Sequence, residues 1–190
     1  MRSLFLTNLE EHLALFEALR PLEVEIETAA QSMVRCLNDG GKIMFCGNGG
    51  SAADAQHLAA ELTGRFIKDR RPLAAIALTT DTSALTSIGN DYSFDDVFSR
   101  PLRGLGRPGD CLVAISTSGN SANVRKAVLA AQELGITCIG LLGRDGGALK
   151  SLCDTAIVVP CPVTARIQEA HILIGHTLCG LVERALGIDG

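Results

Sequence analysis

The stretch Phe45-Cys46-Gly47-Asn48-Gly49-Gly50-Ser51-Ala52-Ala53-Asp54-Ala55-Gln56-His57-Leu58-Ala59-Ala60-Glu61 decides how the chain is read. Ahead of it, Lys42-Ile43-Met44-Phe45-Cys46 is a short apolar run of the kind that forms a buried strand. Behind it, an Ala- and Leu-rich segment favours a helix. The glycines between let the backbone turn tightly and approach a ligand closely. Ser51 stands where a helix N-cap belongs. The first amides of a helix lack partners within it, and its dipole favours an anion there. The loop therefore suits a phosphate or another anion. His57 and Glu61, at i and i+4, share a face of the same helix.

Working outward, apolar runs at 74–78, 111–115, 137–142 and 155–159 read as further strands. Helices are expected at 51–65, 94–105, 122–134 and 165–186, with a short one that the polar loop 79–83 opens and that runs to Ile88, and another before Leu152. This alternation predicts an α/β fold: a three-layer sandwich with a five-stranded parallel sheet between helices. Ahead of the first strand, two helices are expected over 2–20 and 22–37, too early to be crossovers. A long apolar-faced helix in that place packs either on its own domain or on another subunit. No linker, repeat or low-complexity stretch divides the chain. It reads as one domain over 1–190, with 1–38 as a helical extension and 42–190 as the core.

Composition bounds the function. The 190 residues are 47% hydrophobic and carry a net charge of −4, which excludes disorder and gives no basic surface for nucleic acid. Aromatics at 4%, with no Trp, argue against base-stacking platforms. No apolar run is long enough to span a membrane, and the N-terminus shows no charged-then-apolar signal pattern. Seven scattered cysteines without a CxxC pair fit reduced thiols and a cytoplasmic protein.

A second polar loop, Ser116-Thr117-Ser118-Gly119-Asn120-Ser121, follows a strand and opens a helix. Ligands of open parallel sheets bind beyond the carboxyl ends of the strands, at the switch point. Both loops lie there if their strands are neighbours. Four hydroxyls in six residues suit phosphate oxygens, whereas turn and capping chemistry accounts for one or two. The first loop also satisfies the permissive GxGxxA dinucleotide pattern. However, Leu78 is followed by Thr79-Thr80 rather than the acidic residue that pattern needs, and it gives the serine loop no role. On the last helix, Gln168 and His176 are eight residues apart and lie roughly on one side. With His57 and Glu61 they offer a cluster of N and O ligands suited to zinc or a similar divalent ion. His12 and His171 read as structural or exposed.

These residues, together with Glu61-Leu62-Thr63-Gly64-Arg65-Phe66, Gly89-Asn90-Asp91 and Arg166-Ile167-Gln168-Glu169, resemble the phosphoheptose isomerase family of the sugar-isomerase (SIS) domain superfamily. The resemblance covers nearly the whole chain. It implies conversion of sedoheptulose 7-phosphate to D-glycero-D-manno-heptose 7-phosphate through an enediol. That is the first step of ADP-heptose biosynthesis for the lipopolysaccharide core. It further implies a homotetramer with sites at subunit contacts and one Zn2+ per subunit, held by His57, Glu61, Gln168 and His176. Substrate contacts would come from Asn48, Gly49, Gly50, Ser51, Glu61, Asn90, Asp91, Ser116, Thr117, Ser118, Ser121 and Gln168. Glu61 and His176 would carry the proton transfers. Ala165 stands where some members have Asp, so that position receives no role. Related non-catalytic chains, phosphosugar sensors and a binding protein of the replication initiator, share the fold. The latter lacks the His and Glu of the first core helix, which this chain has.

Overall fold

The computed structural model describes residues 3–188, so the expected helix start at residue 2 lies outside the described residues. Five strands form one parallel sheet in the order β2-β1-β3-β4-β5: β1 (Ile43–Cys46), β2 (Ala75–Ala77), β3 (Cys111–Ser116), β4 (Thr137–Gly143) and β5 (Thr155–Val159). All four pairings are parallel. Each strand falls where the sequence places it. The central strands are covered on both faces: all six residues of β3 are buried. Burying one large aliphatic side chain contributes roughly 1.5–3 kcal/mol, so continuous apolar runs have no stable place but the middle of a two-sided sheet.

Two cores flank the sheet. One packs α2 (Glu23–Asn38), α3 (Gly50–Thr63) and α7 (Thr164–Ala185) on residues such as Ile43, Phe45, Val113 and Ile139. The other packs α5 (Ser99–Leu105) and α6 (Ala122–Glu133) on Met44, Leu112 and Ala114. The N-terminal helix α1 (Leu4–Ala18) meets α7 but buries only Leu15 within its own length.

The chain reverses direction across the sheet between β1 and β3, which pair from Ile43↔Cys111 to Cys46↔Ala114. Their carboxyl ends therefore lie side by side and launch the glycine loop and the serine loop together. This is the switch point of a doubly wound sheet.

Helices α3 and α7 lie against each other on one face. At Gly175 the contact is so close that an added Cβ would strike the Leu58 side chain, and at Gly50 it would strike Gln168. The pairs Gly50/Gln168 and Leu58/Gly175 step along both helices in the same sense, so the two run parallel.

Three expectations need correction. The expected cap Ser51 lies inside α3, buried; Gly49 is the N-cap, at φ 57° and ψ −119°, a conformation open to glycine. The short helix expected to follow the polar loop 79–83 and stop at Ile88 begins inside that loop and continues, as α4 (Thr82–Asp91), because Asp81 caps it by accepting the Ala84 amide at 2.9 Å and one internal glycine costs only about 1 kcal/mol. The helix expected over 94–105 is a 3-10 turn, Phe94–Asp96, followed by the short α5. A continuous helix would drive the Pro101 ring into the carbonyl four residues earlier, so the helix restarts with Pro101 in its first turn.

Candidate active site

At the switch point the two loops are tied together by a reciprocal amide pair. Asn48 Nδ2 donates to Asn123 Oδ1 and Asn123 Nδ2 donates to Asn48 Oδ1, both at 2.8 Å. Asn123 Oδ1 also accepts the Val124 amide at 2.9 Å, which fixes which end of the Asn123 amide is the oxygen. Asn123 is buried and was not singled out by the sequence, because nothing local marks its partner 75 residues away.

The serine loop is partly committed to its own shape. Ser116 is buried, with its Oγ 3.0 Å from that of Ser121. Ser118 Oγ accepts the Asn120 amide at 3.1 Å, and Gly119 donates its amide to the Ser116 carbonyl at 3.1 Å. Ser121 is the N-cap of α6 but makes no side-chain cap bond. Thr117 and Ser118 keep partial exposure at the mouth of the loop.

The glycine loop differs from expectation in one respect. The amides of Ser51 and Ala52 bond back to the carbonyls of Asn48 and Gly49, each at 3.0 Å. This tight turn consumes donors that the sequence reading leaves for an anion. The loop ahead of α3, rather than its first turn, is what remains to hold one.

Farther along α3 and α7, three side chains converge. His57 Nε2 lies 2.9 Å from Glu61 Oε1 and 3.4 Å from His176 Nε2. The two imidazoles meet edge to face, and the Phe66 ring leans on His176 with centroids 5.4 Å apart. One ligand atom from each of His57, Glu61 and His176 lies within 4.8 Å of the others. The donor chemistry fits a cation. Two imidazole nitrogens and a carboxylate oxygen face one another, and the single proton that His57 Nε2 can carry satisfies only one of its two neighbours. Bonds of about 2.0–2.2 Å from N and O to zinc imply ligand atoms roughly 3.4 Å apart, close to the separations present. Gln168 lies against Gly50, at the loop end of α3. From Gly50 to His57 α3 rises about 10 Å.

The remaining sequence candidates divide. Asn90 and Asp91 end α4, exposed, with Asn90 Nδ2 donating to Asp91 Oδ1 at 2.8 Å. Asp54, one turn before His57, has Oδ2 enclosed without a partner; burial raises its pKa against the pull of His57. His12 accompanies Glu169 at 2.8 Å, and His171 is fully buried. The cysteines are free thiols; burial pushes Cys46 up to about 12 and Cys179 to about 12, so neither is a nucleophile at neutral pH.

Comparison with known proteins agrees with this geometry. The SIS domain family profile matches residues 9–143. The chain is 61% identical over 161 residues to the phosphoheptose isomerase of Rhodospirillum rubrum, covering 85% of this chain and 86% of that one. It is 54% identical over 176 residues to phosphoheptose isomerase 1 of Campylobacter jejuni, covering 93% and 95%. Its fold superposes on the phosphoheptose isomerase of Neisseria gonorrhoeae with a TM-score of 0.90 at 52% identity, over 95% of this chain and 97% of that one. On the enzyme from Francisella tularensis the TM-score is 0.92 at 39% identity, over 97% and 100%. With a glycine loop, a serine loop and an imidazole–carboxylate group on the shared fold, and with identity of this order across nearly the whole chain, the protein belongs to the phosphoheptose isomerase family of SIS-domain aldose–ketose isomerases.

Proposed function

We propose that the protein interconverts sedoheptulose 7-phosphate and D-glycero-D-manno-heptose 7-phosphate, opening the route to ADP-heptose for lipopolysaccharide. The observation that carries this reading is the meeting of His57, Glu61 and His176 on two helices that also border the anion-suited loops. The rise of about 10 Å along α3 between the loop and the triad suits a long sugar with phosphate at one end and a carbonyl at the other.

The reaction removes a proton from C1 of the ketose, forms a cis-enediol and returns a proton to C2. Glu61 takes the carbon-bound proton: its Oε1 faces His57, which leaves Oε2 for the substrate. His176 moves the proton between the two oxygens, since an imidazole nitrogen can both accept and donate one. His57, Glu61 and His176 would hold Zn2+, one per subunit. So held, it would supply Lewis acidity toward the substrate oxygens. Gln168, which lies against Gly50 on the α7 face turned to α3, would complete that ligand set and contact the sugar. Ser116, Thr117, Ser118 and Ser121, with Asn48, Gly49, Gly50 and Ser51, bind the phosphate. Binding there orients the distant reacting end.

The His57 side chain is 47% exposed in the single chain. Proton transfer from carbon is better served with water excluded. This supports a homotetramer in which a neighbouring subunit covers the site, Asn90 and Asp91 being exposed residues that can reach across. Free thiols throughout are in keeping with a reducing compartment, and we place the protein's work in the cytoplasm.

The test is direct. Zinc-loaded protein mixed with sedoheptulose 7-phosphate should give the aldose by NMR, lose activity on chelation and regain it with Zn2+. Fructose 6-phosphate should turn over far more slowly. Absence of aldose from the metal-loaded protein would defeat the reading.

A further inference from the structure

Behind the triad lies an ion pair almost wholly removed from water. Arg70 Nε donates to Glu183 Oε1 at 2.7 Å, and the two side chains are only 2% and 3% exposed. Arg70 belongs to the irregular segment that follows α3, and Glu183 to the last turns of α7. The rest of the guanidinium is spent on backbone. Nη2 donates to the carbonyl of Glu61 at 2.7 Å. Nη1 donates to the carbonyls of Leu62 and Gly64, both at 2.8 Å, and of Arg71 at 3.1 Å. Three of these carbonyls belong to the end of α3, where a helix leaves acceptors unsatisfied and favours a cation. Glu183 Oε1 in turn accepts the Phe66 amide at 3.2 Å. The Phe66 ring packs on His176 and also lies over Gly180. Cys179 sits between the triad and this pair: after burial, the charges of Glu61 and Glu183 are what raise its thiol.

One guanidinium thus grips the backbone of Glu61 itself, and its carboxylate partner anchors the residue that braces His176. We propose that Arg70 and Glu183 are positioning residues for the isomerase site, a strut that sets the end of α3 against α7 so that His57 and Glu61 meet His176. This rests on the reading of the triad as the reacting centre. Stability alone gives a poor account of the pair. Removing two charges from water costs about as much as their attraction returns, and apolar replacements of similar volume are often neutral or stabilising. What apolar side chains cannot supply is a planar fork that fixes several carbonyls at once.

The test uses the full-length protein in three forms: wild type, Arg70→Lys, and the double replacement Arg70→Met with Glu183→Leu. Three quantities are measured on each: thermal unfolding, steady-state kinetics on sedoheptulose 7-phosphate with Zn2+, and Co2+ affinity from the visible absorption of the bound ion. Groups that orient metal ligands typically cost about 10- to 100-fold in metal affinity or activity when removed. Both variants should stay folded, lose kcat and Co2+ affinity by about that much, and keep KM within about threefold because the phosphate loops are untouched. Folded variants with wild-type kcat and Co2+ affinity would overturn the assignment. So would a KM that rises as much as kcat falls, or loss of the fold in both variants, which would make the pair a stability element. If the wild type shows no turnover of this sugar, the proposed function fails, and the Co2+ affinities then decide the strut by themselves.

Discussion

His171 has no exposed surface, donates Nε2–H to the Leu142 carbonyl at 3.1 Å and leaves Nδ1 enclosed without a partner. A second proton would sit on Nδ1 with nothing to accept it, and burial lowers the pKa to about 4 against the small opposing effect of the Leu142 carbonyl. The unfolded chain binds this proton near 6.5, so between those values the unfolded state holds more protons and stability falls as pH falls. At pH 5 this one residue should cost about 2 kcal/mol relative to pH 7. Urea unfolding at the two pH values checks it: wild type should lose about that much more than His171→Gln, whatever the baseline of the variant, and equal losses would contradict it. Legibility at this scale follows sequence distance. His57 and Glu61 could be read from their i, i+4 spacing, because that reading needs only local periodicity, whereas the reading of His12 and His171 as structural or exposed left their surroundings open. The amide pair of Asn48 with Asn123 and the grip of Arg70 on Glu183 join residues 75 and 113 positions apart, and no local pattern encodes them. His176 and Gln168 show the intermediate case. Their eight-residue separation suggests one side of α7, and both do face α3, His176 at His57 and Gln168 at Gly50, but which residues of α3 they meet is set by packing.

The two switch-point loops are where element geometry becomes binding. Ser121 and Ser116 share a hydrogen bond at 3.0 Å, and Ser118 shapes the turn through Asn120. A phosphate oxygen that replaces these internal partners gains charge-assisted bonds, each contributing roughly 1.5–3 kcal/mol. The Ser118→Ala, Ser121→Ala double variant should therefore bind sedoheptulose 7-phosphate at least about tenfold more weakly by calorimetry while its circular dichroism is unchanged. Unchanged affinity would remove the serine loop from the phosphate site. All five strands were legible because each carries a short apolar run; β1, β3 and β4 in the middle of the sheet are buried on both faces, whereas Ile76 of the edge strand β2 stays exposed. The helix ends were less so. Gly89 looks like a breaker, but Asp81 at the other end of α4 outweighs it. Pro101 looks tolerable in a helical pattern, but only as part of a first turn. The cap at Gly49 rather than Ser51 was set by a backbone conformation, which side-chain preference does not reveal.

For the whole molecule, α1 raises the question of assembly. Leu4, Phe5, Leu6, Leu9 and Leu13 are 40–76% exposed, a run of large apolar side chains along one helix. Exposed apolar surface of this kind marks an interaction site. Light scattering should give a tetramer for the full chain, and deletion of residues 1–20 should reduce both assembly and turnover; a monomeric, fully active full chain would contradict this. A tetramer would also close the opening over His57 that the single chain leaves to solvent. The claim on which the rest depends is that Glu61 takes the carbon-bound proton, and deuterium incorporation tests it most directly. Incubated with sedoheptulose 7-phosphate in heavy water, the wild type should place solvent deuterium on C2 of the aldose. The Glu61→Gln variant, shown by calorimetry still to bind the sugar, should show exchange at least about 100-fold slower. Exchange at the wild-type rate in the folded, substrate-binding Glu61→Gln variant would contradict the account.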